Sequence, residues 1–168
     1  DMAKSAGQAV KTAMAVGDNT ASGKVFLDTA KKVFTEMGVK IVGEETWSMG
    51  NLSDATSVMQ KVKAANPDMV IFHASAISEA QMCFMKKKEL NITIPFISFG
   101  GYAADPSFRT VGPEILEGFI ALTGSFPHKL TPEDWVKRSL EQCKKEYSNE
   151  PWVGQELGFG WTMIPIMA

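Results

Sequence analysis

The most informative stretch of the sequence is Asp68-Met-Val-Ile-Phe-His73. Its apolar residues run almost without interruption, which is typical of a strand covered on both faces in a parallel sheet. Similar runs begin at Lys11, Val39 and Pro95, so the four starts are 28, 29 and 27 residues apart. This spacing fits one strand, one helix and two loops. The sequence therefore predicts an α/β fold, with a parallel sheet, helices on both faces and a fifth strand at 118–123.

Helical patterns fill the intervals between these strands. The first helix is expected to bury an apolar face and to end at Gly38, which can take the left-handed cap conformation. Most of the ten methionines are expected to fill the core, Met59 among them. The predicted apolar face of the first helix consists of Phe26, Ala30, Val33 and Met37.

The third helix carries a start signal and a stop signal. Ser78-x-x-Gln81 predicts a capping box at its beginning. Its end is marked by Lys86-Lys87-Lys88, which we interpret as a solvated helix end rather than a binding patch, followed by a left-handed turn at Asn91.

Composition and charge exclude several classes of protein. The chain has 168 residues, with 17 Lys and Arg against 19 Asp and Glu, and a net charge of -2. This balance gives no basic excess for nucleic acid. Cys83 and Cys143 are too few for a disulfide framework and are expected to be small buried hydrophobes. Because the chain starts at Asp1 and ends in an apolar run, we expect a segment of a longer protein.

The motifs of the common α/β enzymes are absent from the sequence. The loop from Gly17 to Gly23 has five residues between its glycines and Val25 after the lysine, so it does not match a nucleotide-binding P-loop. No dinucleotide fingerprint or nucleophile elbow is present. His73 and His128 are not at metal-ligand spacing. We therefore expect a protein that is not an enzyme and uses no metal or cofactor.

Ligands of parallel α/β sheets bind at the carboxyl ends of the strands. The loops at 17–23, 73–77 and 98–103 follow three predicted strands. His73 has two readings, a satisfied structural histidine, which is the favoured one, and a ligand contact. Gly100 and Tyr102 form either a tight turn with an aromatic lid or a close approach to a ligand. The candidate ligand-binding residues from these loops are Thr20, Ser22, His73, Ser75, Ala76, Phe99, Gly100 and Tyr102.

An ordered series of short motifs resembles one known family. The chain is similar, from about residue 11 to its end, to the type I periplasmic substrate-binding proteins of ABC transporters, in the branched-chain amino-acid group. The motifs that carry this resemblance are Val16–Gly23, Glu36–Val39, Glu44–Trp47, Asp54, Val62–Val70, Glu79–Gln81, Ile94–Gly100, Gly112–Gly118 and Tyr147–Pro151.

The resemblance implies two α/β lobes that close over a ligand about a hinge. By this comparison, residues 1–124 form the second lobe, 125–130 the crossover, and 131–168 the helices that return to the first lobe. The hinge residues are expected at Gly124, Ser125 and Phe126. The apolar stretch Trp152–Ala168 is expected to self-associate in the isolated segment.

The resemblance also implies a function and a place in the cell. It implies capture of a small polar or carboxylate solute, periplasmic or at the cell surface, for an ABC permease. The family's lobe-two ligand contacts fall near Ser22, Ser75 and Gly100. Ser22 replaces an aromatic residue, and Gly100 replaces the acid that binds the ligand's ammonium group. These changes favour an aromatic or aliphatic acid without an α-amino group, or an amide. The alternative is a ligand-sensing domain of a receptor or regulator.

Overall fold

The sheet predicted from the apolar runs is present in a computed structural model, which describes residues 10–99, 110–122 and Lys145. All five strands are parallel, in the order β2-β1-β3-β4-β5. The predicted α/β class is therefore confirmed. In chain order the elements are β1 (Thr12–Asp18), α1 (Ala21–Glu36), β2 (Lys40–Trp47), α2 (Thr56–Ala65), β3 (Met69–His73), α3 (Ile77–Glu89), β4 (Phe96–Phe99) and β5 (Phe119–Leu122).

Helices cover both faces of the sheet, as the continuous apolar strands predict. Side chains alternate between the two faces along a strand. Thus Ala13 and Ala15 of β1 belong to the core beneath α1, whereas Met14 and Val16 belong to the core beneath α2 and α3. The central strand β3 is almost completely buried for the same reason.

The larger core is built around aromatic side chains. The ring of Phe84 on α3 lies 5.4 Å from the rings of Phe72 and Phe96, and 4.9 Å from that of Phe119, measured between centroids. Aromatic pairs at these separations contribute about 0.5–1.5 kcal/mol beyond the burial of their area. This cluster fixes α3 against β3, β4 and β5, and so fixes the loop that precedes α3.

The apolar face predicted for α1 is partly wrong. Val33 and Met37 are 44% and 73% exposed, and the helix ends at Glu36. Leu27 is buried instead, and Phe34 packs beside it. The buried face is displaced around the helix axis because Gly23 and Leu27 lie against the ends of β1 and β3. Met37 is therefore not a core residue, although Met59 is, with no exposed surface.

The turns confirm some of the predicted helix ends and contradict one. Gly38 and Asn91 have φ angles of +83° and +53°, as their predicted left-handed positions require. The capping box predicted with Ser78 as its N-cap is wrong, because α3 begins at Ile77 and its N-cap is Ala76, two residues earlier, with no side-chain cap. The buried carboxylate of Glu79, in the first turn, instead binds a neighbouring loop.

The three lysines at the end of α3 are not all solvated, contrary to the prediction. Lys87 is only 5% exposed. Its Nζ donates to the carbonyl of Glu117 at 2.9 Å and lies 5.4 Å from the centre of the Phe96 ring. Burial lowers the pKa of Lys87. The apolar part of its side chain packs in the core, while its amino group donates to the Glu117 carbonyl.

Cys83 is fully buried, as predicted. Burial and the neighbouring Glu79 raise the pKa of its thiol to about 12, which disfavours the reactive thiolate form. No helix within the described ranges has the length and apolar character needed to cross a bilayer. The other cysteine, the proposed hinge, the return helices and the stretch Trp152–Ala168 lie outside the described residues.

Candidate functional site

The candidate site lies where β1 and β3 end side by side. These strands pair in parallel, and Gly17 is opposite His73 in the register. The chain continues from β1 into the loop that starts α1, and from β3 into the loop that starts α3. Two loops that are more than 50 residues apart in sequence therefore meet at the carboxyl edge of the sheet, as expected for this fold.

Three hydroxyl groups meet at this edge, and we call Thr20, Ser22 and Ser75 the hydroxyl cluster. The Oγ1 atom of Thr20 lies 3.0 Å from the Oγ of Ser75 and 3.2 Å from the Oγ of Ser22. Thr20 is also the N-cap of α1, since its Oγ1 accepts a hydrogen bond from the amide of Gly23 at 3.1 Å. The structure thus brings together three of the predicted ligand-binding residues.

A buried carboxylate, Asp18, lies directly behind the hydroxyl cluster. It has no exposed surface. It accepts hydrogen bonds from the amide of Thr20 at 3.1 Å, from the hydroxyl of Thr20 and from the amide of Ser75. Burial alone would raise the pKa of Asp18, but these hydrogen bonds and the interaction with the Ser75 hydroxyl together lower it below its usual value. Asp18 is therefore ionised at neutral pH.

Sequence reasoning did not single out Asp18. The sequence did contain one signal at this position. An acid that ends an apolar strand and precedes a helix cap must be either exposed to water or held by hydrogen bonds. Its bond to Ser75 joins residues 57 positions apart, however, and this contact became visible only with the fold.

Close packing around the site requires glycine at Gly23. A Cβ atom added there would lie 2.6 Å from the Oδ1 of Asp18 and 3.1 Å from the Cδ2 of His73. Both distances are shorter than ordinary contacts, and the first involves a buried group that cannot move away. Gly23 thus lets α1 approach the ends of both strands.

His73 is placed mainly by packing. Its ring lies 5.5 Å from that of Phe26, and its Nδ1 is buried without a hydrogen-bond partner among the described residues. Its Nε2 lies 3.4 Å from the Oγ of Ser75, a long contact. His73 therefore borders the hydroxyl cluster, and both of its predicted readings stay open. Ala76 also lies beside the cluster, as the N-cap residue of α3.

A second buried carboxylate, Glu79, holds the loop after β2 at the same edge. It accepts hydrogen bonds from the Nε1 of Trp47 at 2.9 Å and from the amides of Gly50 and Leu52 at 2.8 and 3.2 Å. The carbonyl of Trp47 in turn accepts from the amide of Asn19. These bonds join the ends of β1 and β2 to α3. Glu79 was noticed in the sequence only as part of a family motif.

Other predicted site residues are not tested by this geometry. Phe99 ends β4, and its backbone lies in the sheet. Gly100, Tyr102 and the proposed hinge residues Gly124, Ser125 and Phe126 are outside the described ranges. Among the residues that the structure describes, no group of three or more His, Cys, Asp or Glu side chains is placed to hold a metal ion.

Comparison with known proteins identifies the family. A family model described as periplasmic binding protein matches residues 1–167. The chain belongs to the periplasmic binding protein family. The resemblance stated from the sequence motifs is therefore confirmed. A comparison with curated proteins found no match.

Solved structures of periplasmic binding proteins share the fold. An extracellular ligand-binding receptor from Rhodopseudomonas palustris has a TM-score of 0.79 and 18% identity, over 99% of this chain and 46% of its own. The leucine-, isoleucine-, valine-, threonine- and alanine-binding protein from Brucella ovis has a TM-score of 0.74 and 17% identity, over 92% of this chain and 38% of its own. A fatty acid ABC transporter substrate-binding protein from Thermomonospora curvata has a TM-score of 0.72 and 17% identity, over 87% of this chain and 37% of its own. The chain thus spans less than half the length of each.

Proposed function

We propose that this chain is the second lobe of a two-lobed, extracytoplasmic solute-binding protein that delivers a small solute to an ABC permease. The observation that carries the proposal is the hydroxyl cluster, three hydroxyl groups gathered at the carboxyl edge of a parallel sheet. Family membership supports the same conclusion, because substrate-binding proteins of this family bind ligands and perform no chemical step on them.

The lobe assignment is supported by the share of each chain that aligns. The three solved structures are matched over most of this chain but over only 37–46% of their own length. A single lobe with its connecting segments would give such numbers. The proposed layout is a lobe at residues 1–124, a crossover at 125–130 and return helices at 131–168.

The proposed ligand is an organic acid without an α-amino group, or an amide. An ammonium group in a closed cleft requires a carboxylate with free lone pairs. The two buried acids at this edge, within residues 10–99, are Asp18 and Glu79, and both already accept at least three hydrogen bonds. The hydroxyl groups of Ser22 and Ser75, on exposed residues, suit polar but uncharged recognition.

The test is isothermal titration of the full-length polypeptide that contains residues 1–168. The solutes are aromatic and short aliphatic acids, the corresponding amides, and leucine. Ser75→Ala and Ser22→Ala are compared with Ser57→Ala, which removes a hydroxyl from an exposed position on α2. Loss of one ligand hydrogen bond is worth about 0.5–3 kcal/mol, so each site variant should weaken binding about 2- to 100-fold.

The control variant should bind as tightly as the wild type. Leucine binding at millimolar concentration or tighter, with no response to aromatic acids, would contradict the proposed ligand class. Equal affinities of wild type, Ser22→Ala and Ser75→Ala for a bound solute would contradict the proposed site.

A further inference from the structure

The direction of one hydroxyl proton at the site follows from its neighbours. Asp18 is ionised at neutral pH and can only accept hydrogen bonds. It lies within hydrogen-bond distance of the Thr20 hydroxyl, whose single proton must therefore point at the carboxylate. Thr20 consequently has no proton left for a ligand or for either serine.

The oxygen of Thr20 is left with acceptor capacity for two donors. The amide of Gly23 uses one of these positions at 3.1 Å. Ser22 and Ser75, at 3.2 and 3.0 Å, compete for the other. The hydroxyl of Ser75 also interacts with the Asp18 carboxylate. A serine that donates to Thr20 or to Asp18 turns its proton inward and presents lone pairs outward, while the other serine can donate to a ligand.

A cluster of this kind offers a ligand both a donor and an acceptor. A primary amide matches it, because its carbonyl accepts and its N–H groups donate. A carboxylate has no donor for the outward lone pairs, and the negative charge of buried Asp18 behind the cluster repels it. The two ligands have almost the same shape, so the difference between them is electrostatic.

We propose that Asp18 is a positioning residue that makes the hydroxyl cluster prefer a neutral amide over the carboxylate of the same shape. This inference rests on the proposed function and narrows its ligand class. Asp18 acts through Thr20 and the serines and makes no contact with the ligand itself. Specificity then depends on a charge buried behind the cluster, and less on the exposed hydroxyl groups.

The experiment compares matched pairs of probes on the full-length polypeptide. Benzamide is titrated against benzoate, and propionamide against propionate. The wild type should bind the amide of at least one pair more tightly than the acid. Asp18→Asn removes the negative charge. It also introduces an amide N–H that can donate to Thr20, so the Thr20 hydroxyl proton no longer has to point inward. The ratio of amide affinity to acid affinity should therefore shift toward the acid by about 10-fold or more.

A second pair of variants keeps the test informative if Asp18→Asn does not fold. Thr20→Val removes the hydroxyl through which Asp18 acts but leaves the carboxylate in place, whereas Thr20→Ser keeps the hydroxyl. The first should reduce the preference for the amide, and the second should retain it. A residue with a purely structural role would weaken both probes equally and leave their ratio unchanged.

Three results would overturn the inference. The first is a wild type that binds the acid of both pairs more tightly than the amide. The second is an unchanged ratio of affinities in folded Asp18→Asn or Thr20→Val protein. The third is binding of other solutes with no binding of either pair, which shows that the ligand class is wrong. Binding of no solute at all would instead contradict the proposed function.

Discussion

Replacing Glu79 by alanine removes the acceptor of three hydrogen bonds at once. The Glu79 side chain is buried, with 2% of the residue exposed, and it receives the indole N–H of Trp47 and the amides of Gly50 and Leu52. Trp47 is buried, so water cannot readily replace its lost partner. Gly50 and Leu52 lie nearer the surface, and their amides can be hydrated after the substitution.

The expected loss of stability follows from these three donors. A buried donor left unsatisfied costs about 1–3 kcal/mol, and each hydrogen bond that water can replace contributes about 0.5–1.5 kcal/mol. The free energy of unfolding should therefore fall by about 2–6 kcal/mol in Glu79→Ala. Glu79→Gln keeps one acceptor oxygen but places an amide donor near the donors of the loop, so it should lose about 1–3 kcal/mol.

Urea unfolding of the full-length polypeptide, followed by circular dichroism, measures these changes. The matched control is Glu44→Ala on the edge strand β2. It removes an ion pair with Lys31 at 2.7 Å, and the Glu44 side chain is 44% exposed. Exposed pairs contribute at most about 1 kcal/mol. If Glu79→Ala destabilised the protein no more than Glu44→Ala does, the reasoning about the buried carboxylate would be wrong.

Three further predictions concern other buried groups. Gly23→Ala should destabilise the protein and weaken solute binding, because its Cβ would lie 2.6 Å from the Oδ1 of Asp18. The control Gly43→Ala, whose Cβ would have its nearest contact at 3.5 Å, should be tolerated, and thermal unfolding and solute titration compare the two variants. Lys87→Ala should lower the free energy of unfolding, measured in urea, by about 1–3 kcal/mol through lost packing. Lys88→Ala, at an exposed position, should change it by at most about 0.5 kcal/mol, and equal effects would contradict the burial of the Lys87 side chain. The lowered pKa of Asp18 stabilises the fold above about pH 4, and this stabilisation is lost as the pH falls through the folded-state pKa. Between about pH 6 and about pH 3, the urea midpoint should therefore fall less in Asp18→Asn than in the wild type.

Most of the fold was predictable because it depends on local patterns. Each strand begins one residue after its predicted start, since a run of apolar residues between turn signals leaves few alternatives. The helix faces were less certain. Val33 and Met37 fit the helical period of α1, but the helix ends before Met37, and its contact face depends on how closely Gly23 approaches the sheet.

The candidate site was predictable in place but not in chemistry. Thr20, Ser22 and Ser75 could be expected at one edge because the carboxyl ends of parallel strands lie together. The roles of Asp18 and Glu79 depend on partners 27–57 residues away, which no local pattern specifies. Burial of an acid depends on such distant donors, and for this reason the roles of both residues could not be predicted from the sequence.

The most direct test of the proposed site is a crystal structure of the full-length polypeptide with its tightest-binding solute. We expect a polar atom of the solute about 2.7–3.2 Å from the Oγ of Ser22 or Ser75. In the same structure Asp18 should still bind Thr20 and Ser75 and should not touch the solute. A solute bound away from the hydroxyl cluster, or bound directly to Asp18, would contradict the proposed site.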